Sequence, residues 1–195
     1  MTPVSDAAET GELFTAYHDR ICRYIAGMIR DTAEAEDLTQ ETFLRAHTRQ
    51  DKLRDPKAAR GWLYRIATNV SFDRMRQRTR QVAIEGEGGL QLPRPAVPKT
   101  PSAQERAERA KTSACVQRCL DYLPDSYRAV ILLHEAHALT AVEIAELLGV
   151  SVGTIKIRLH RARRRLQEIM EIGCMVAGGK TGVPCCEAKK SAAYR

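Results

Sequence analysis

Three absences narrow the reading of this 195-residue chain. Aromatic residues are few, 5% in all with one tryptophan, which suits small helical domains better than a β-sandwich. No apolar run approaches the roughly 18 residues of a membrane-spanning helix. The start, "MTPVSDAAETGEL", is polar and acidic and lacks the apolar core of a secretory signal. A cytoplasmic protein is therefore expected, with its six cysteines mostly reduced. No grouping of carboxylates, metal ligands or nucleophiles suggests catalysis, so no enzyme is expected. One local absence matters more: no acid stands between Glu146 and Glu168.

That acid-free stretch holds "TIKIRLHRARRRL", residues 154–166, in which six of thirteen are Lys or Arg. Ile155, Leu159, Ala162, Leu166 and Ile169 recur at steps of three and four, one face of a helix. The opposite face carries Gly153, Lys156, Ile157, His160, Arg161 and Arg164. A solvated helix ordinarily mixes signs to gain i,i+4 pairs. Unmixed cations, in a chain of formal charge +7, call for a polyanion.

The residues before this helix complete a helix-turn-helix. Thr140 with Glu143 forms a capping box, and Ile144, Leu147 and Leu148 give a short helix its apolar face. Gly149 supplies the turn and Ser151 caps the second helix. In this motif the second helix enters the major groove while flanking cations hold phosphates. Candidate DNA contacts are Ser151, Thr154, Lys156, Ile157, Arg158, His160, Arg161 and Arg164, with Ile157 set to meet a thymine methyl or solvent.

Helical periods also run over residues 13–29, over "DTAEAEDLTQETFLRAH" with Leu38, Phe43 and Leu44 to bury, and from Trp62 to Arg80, with Trp62 as a core anchor. "DKLRDPKAARG" interrupts them at Pro56. Prolines at 93, 95, 98 and 101 and a run of glycines mark a flexible linker. Residues 105–121 resume the helical pattern, and Pro124 stands near another helix start. No β-alternation of useful length is evident. The expected fold is all-α: a helical domain over 10–82, a linker over 83–104, a helix-turn-helix domain over 105–170 and a cysteine-containing tail over 171–195.

Two segments together resemble one family. "DLTQETFLRAH" with "GWLYRIATNVSFDRMRQR" resembles the first conserved domain of the extracytoplasmic-function (group IV) RNA polymerase sigma factors, of the sigma-70 family. "LPDSYRAVILL", followed by the helix-turn-helix, resembles their second. The resemblance implies a protein without catalytic residues that lends core RNA polymerase its promoter recognition. It implies that Asp37, Gln40 and Phe43, with Glu41 beside them, dock on the polymerase. It implies reading of the −10 element by the loop and following helix, through Leu53, Lys57, Arg60 and Asn69, with Arg74, Arg76 and Arg78 on phosphates. Asn69 matches the family's pocket asparagine, whereas Leu53 stands where many members have an aromatic. The −35 element falls to the helix-turn-helix. Promoter DNA and core polymerase are the implied partners, and many relatives are held by an anti-sigma factor. The competing reading is a one-component helix-turn-helix regulator, for which residues 10–82 show neither a ligand-pocket pattern nor a phosphoacceptor site.

Two features stand outside this frame. "HEAH" at 134–137 spaces its histidines by three, where the zinc-protease motif requires four. Cys22 lies in an apolar helix and is read as core. Cys115 and Cys119 share a helix face, and Cys174, Cys185 and Cys186 lie in the tail. Those thiols could hold zinc or form a redox switch, or lie idle in a disordered tail. No other cofactor is expected.

Overall fold

A computed structural model describes residues 4–53, 55, 58–85, 116–178 and 184–188. The chain divides into two compact units. The first comprises residues up to 95 together with 132–155, and the second comprises 96–131 and 156–195.

The first unit is built on three helices. Helix α1, Val4–Ile29, buries Ile21, Tyr24, Ile25 and Met28, steps of three and four that align them on one face. Arg30 takes a left-handed backbone (φ 69°) and ends it. Asp31 then caps α2, Thr32–His47, accepting from the Glu34 N–H at 3.1 Å. Helix α2 buries Ala35, Leu38, Thr39, Thr42, Phe43 and Ala46. The two buried threonine hydroxyls donate to carbonyls one turn back at 2.7 Å, so neither is left unpaired. A short turn, Gln50–Lys52, precedes α3, Ala59–Glu85, whose Leu63, Tyr64, Ile66, Ala67 and Val70 close the core. Trp62, expected as a core anchor, is only half-buried. Helix α1 begins well before residue 13, and α3 runs past the expected boundary at 82. The rest of the expected linker, 86–104, lies outside the described residues.

Residues 132–155 group with these helices, so the expected 105–170 domain is divided between the units. The reason is an aromatic cluster. Tyr24, Tyr64 and His137 meet edge-on or tilted, with ring centroids 5.2 to 5.5 Å apart. The Tyr24 hydroxyl pairs with Thr68 at 2.8 Å, and Tyr64 pairs with His137 Nδ1 at 2.8 Å. Arg60 donates to the His137 carbonyl. Leu132 lies over Gly27, where a Cβ would approach its side chain to 3.0 Å, so a larger residue would push the leucine aside by a few tenths of an ångström. Burial, helped by the cations Arg23, Arg60 and Arg20, lowers the His137 pKa to about 4, which keeps the ring neutral. A π-type turn, Leu132–Ala136, leads to the short helix α5, Ala141–Leu148; α4 is given below. Thr140 and Glu143 form the expected capping box, and Gly149 (φ 67°) ends α5 in the left-handed region.

In the second unit, helical residues 116–121 precede α4, Asp125–Ile131. Buried Arg128 donates to the carbonyls of Leu120, Asp121 and Leu123 at 3.0 to 3.2 Å, holding the end of the 116–121 helix and the turn after it against α4. Pro124 stands just before α4, and its carbonyl accepts from Tyr127 and Arg128. Helix α6, Val152–Gly173, buries Ile155, Leu159, Ala162 and Ile169, while Leu166 is half-buried. The tail departs from expectation. Cys174–Gly178 (β1) and Pro184–Ala188 (β2) form an antiparallel ladder, with Cys174 opposite Ala188 and Val176 opposite Cys186. A glycine-bearing segment, GKTG over 179–182, separates two stretches too short to announce alternation.

Candidate nucleic-acid interface

Three surfaces carry the residues singled out by the sequence. On α2, Asp37 and Gln40 are exposed and Glu41 is half-buried. Steps of three and four extend this face to Leu44, which is 66% exposed. The periodicity placed both Phe43 and Leu44 in the core, and the resemblance added Phe43 to the docking face; the structure buries Phe43 and leaves Leu44 exposed. Phe43 is 6% exposed and meets the Phe14 ring edge-on at 4.9 Å. Neighbouring helix positions point about 100° apart. Residue 43 therefore aligns with Ala35, Thr39 and Ala46, and residue 44 with Asp37 and Gln40.

The second surface lies between α2 and α3, where a hollow of about 240 Å³ opens beside Asn69. Ile66 and Phe72 form its apolar wall. Arg45, Arg49, Asp73 and Arg76 edge it. Three guanidinium groups face one carboxylate, so a neutral or anionic guest with hydrogen-bond acceptors suits it. Asp73 is 3.5 Å from Arg76 and 3.9 Å from Arg45, which also pairs with Glu41 at 2.6 Å. Arg45 and Arg49 were missed by sequence reasoning because both precede the interrupting loop.

The arginines of α3 do not act alike. Arg74 and Arg78 both pair with Glu34, whose side chain is 12% exposed. Arg78 also donates to the Ile29 carbonyl at 3.2 Å. They tie α3 to the corner between α1 and α2, a structural role beside the phosphate contacts expected of them. Residues 74 and 78 are one turn apart and share a face, whereas Arg76 points away and is 69% exposed. Arg60 is held by the His137 carbonyl, Leu53 is half-buried, and Lys57 lies outside the described residues.

The third surface is the first half of α6. Ser151 caps it, accepting from the Thr154 N–H at 3.1 Å, and the two hydroxyls meet at 2.8 Å. Lys156, His160 and Arg161 are exposed, Arg158 is half-buried, and Ile157 is 53% exposed. Arg164 is exposed but pairs with Glu168 at 3.2 Å, as Arg165 does at 3.3 Å. Lys156 and Arg161 make no ion pair among the described residues.

The cysteines are only partly described. Cys119 is buried, Cys115 lies outside the described residues, and for Cys174, Cys185 and Cys186 only the backbone is described. Cys22 donates to Glu36 Oε2 at 3.4 Å, and burial together with that carboxylate raises its pKa. Of the two "HEAH" histidines, His137 is turned to Tyr64.

The family described as Sigma-70 region 2 matches residues 13–81, and Sigma-70, region 4 matches residues 113–166. Together they define a sigma-70-type transcription initiation factor. The sigma factor SigW of Bacillus subtilis (strain 168), described as an ECF RNA polymerase sigma factor, is 33% identical over 161 residues, 80% of this chain and 86% of the relative. The sigma factor RpoE of Bartonella quintana, solved with the anti-sigma factor NepR, superposes with a TM-score of 0.65 at 25% identity, covering 83% of this chain and 96% of that one. CnrH, solved with the cytosolic domain of CnrY, shares the fold with a TM-score of 0.59 at 24% identity, over 83% of this chain and 87% of that one. The chain belongs to the extracytoplasmic-function RNA polymerase sigma factors. Its partners are core RNA polymerase and promoter DNA. No described helix is long and apolar enough to cross a membrane.

Proposed function

We propose that this sigma factor divides its task among the three surfaces. The α2 face of Asp37, Gln40, Glu41 and Leu44 docks on core polymerase: an exposed leucine ringed by polar groups suits a protein interface. The hollow beside Asn69 receives a base flipped from the melted −10 element. Flipping costs a few kcal/mol, which an apolar wall and edge hydrogen bonds offset. Here Phe72 and Ile66 supply the wall, the Asn69 amide the edge contact, and Arg76 the adjacent phosphate. Helix α6 reads the −35 duplex, with Lys156 and Arg161 on phosphates and Ile157 against a base. The exposed α6 cations and the acceptor-seeking hollow give the regulator reading no observation of its own.

The observation that carries this reading is the hollow, with its amide and guanidinium rim beside an exposed docking face. No catalytic role is assigned to any residue, and the chain works in the cytosol with its polymerase. An anti-sigma partner, as NepR is for the Bartonella quintana relative, and a zinc or redox site among Cys115, Cys119, Cys174, Cys185 and Cys186 belong to the same proposal. The test is reconstitution: core polymerase plus this chain should start transcripts at promoters that core polymerase alone cannot use. Duplex binding without any gain in initiation would return the chain to the regulator class.

A further inference from the structure

One guanidinium serves two of these surfaces. Arg45 follows Glu41 by one turn of α2 and pairs with it at 2.6 Å. Glu41 belongs to the exposed face with Asp37, Gln40 and Leu44. The same Arg45 guanidinium edges the hollow and stands 3.9 Å from Asp73, whose carboxylate also holds Arg76 at 3.5 Å. Glu41, Arg45, Asp73 and Arg76 therefore form a chain of alternating charge running from the docking face into the hollow. All four are partly exposed, so each link is weak and exchangeable.

We propose that Arg45 is a shared cation that couples polymerase docking to capture of single-stranded DNA. In the free chain Glu41 holds Arg45 on the α2 side. A donor on the docked partner that engages Glu41 releases the guanidinium. Arg45 then turns to the hollow, where it either binds a phosphate of the strand or takes over Asp73 and frees Arg76 to do so. Binding on one face raises affinity on the other, and linkage makes the effect reciprocal. The inference rests on the proposed use of these two surfaces and adds the residue that joins them. It also gives the i,i+4 pair a role beyond helix support. Among the described acids, Glu41 is the one that both lies on the docking face and holds a cation of the hollow.

The test measures affinity for a fluorescent pool of random single-stranded DNA, about ten nucleotides long, for the free chain and for its complex with core polymerase, with core polymerase alone as the baseline. Glu41→Gln should tighten binding by the free chain roughly two- to fivefold, the size of one exposed ion pair. Asp37→Asn makes the same change in net charge on the same face without touching Arg45 and should do less. In an Arg45→Ala background, Glu41→Gln should do no more than Asp37→Asn. Arg45→Lys should keep part of the effect, since it retains the charge without the fork. In the polymerase complex, the gain on docking should shrink for Glu41→Gln relative to the unchanged chain. Equal effects of Glu41→Gln with and without Arg45, or an effect equal to that of Asp37→Asn, would overturn the coupling. The two readings fail separately. Loss of polymerase binding or of promoter use by the unchanged chain contradicts the proposed function, whereas an additive Glu41 and Arg45 cycle in a chain that initiates normally contradicts only the shared cation.

Discussion

Helices α3 and α6 both carry clusters of cations beside an apolar face, and members of the two clusters meet different fates. On α3, Arg74 and Arg78 converge on Glu34 and hold the helix against the α1–α2 corner. On α6, Lys156 and Arg161 meet no carboxylate among the described residues, because no acid stands between Glu146 and Glu168. Composition alone does not separate a structural cation from one kept for DNA. What separates them is whether the fold brings an acid within reach, and for Arg74 that acid is forty residues away.

The sharpest way to break this comparison is to remove the acid. Glu34→Gln leaves Arg74 without its anion and Arg78 with Asp31 alone, 3.9 Å away, and should destabilise the first unit by about 1 kcal/mol, read from urea unfolding. The α6 affinity for −35 duplex should not change. Arg74→Ala should likewise lower stability more than DNA affinity. Next in size, Arg161→Ala should leave the unfolding midpoint within error, weaken duplex binding, and reduce the salt slope by roughly one unit. A stability loss for Arg161→Ala equal to that for Arg74→Ala would erase the distinction between the two clusters. Arg164 lies between these cases because Glu168 already holds it. Arg164→Ala should weaken duplex binding less than Arg161→Ala, and in a Glu168→Gln background the two should become alike.

The smallest effect concerns pH. His137 is half-buried against Tyr24 and Tyr64, with Arg20 and Arg23 from α1 and Arg60 from α3 as the nearby cations. Its pKa falls from 6.5 to about 4, so the folded state disfavours the proton. The contribution is complete above pH 6.5 and declines as pH falls toward 4. Amide exchange across 132–155 should therefore quicken on acidification in that window, ahead of exchange in α2. Exchange that is flat over the same range would mean that the ring does not hold the segment.

Features set by neighbours in sequence were legible, and features set by distant partners were not. The Thr140–Glu143 box, the Gly149 turn and the stripe of Ile155, Leu159 and Ala162 depend on spacings of four or less, and they stand where the sequence put them. Asp37 and Gln40 were legible as exposed for the same reason. Leu44 was placed in the core beside Phe43 although a single step separates core from surface on a helix. The pairing of Glu34 with Arg74 and Arg78, the docking of His137 on Tyr64, and the arginines that edge the hollow from α2 join residues far apart in sequence. The tail ladder escaped because its two strands are short and bring no apolar alternation.

The most direct measurement of the central claim is permanganate footprinting of the promoter bubble, set beside binding to intact duplex. Holoenzymes carrying Asn69→Ala, Arg76→Ala and Arg74→Ala would be compared, with helicity confirming that each chain is folded. The hollow account predicts that Asn69→Ala and Arg76→Ala lose thymine reactivity in the −10 region while duplex binding is retained, and that folded Arg74→Ala opens normally. Equal loss of opening and duplex binding for Asn69→Ala, or a defect in Arg74→Ala as large as in Arg76→Ala, would contradict it.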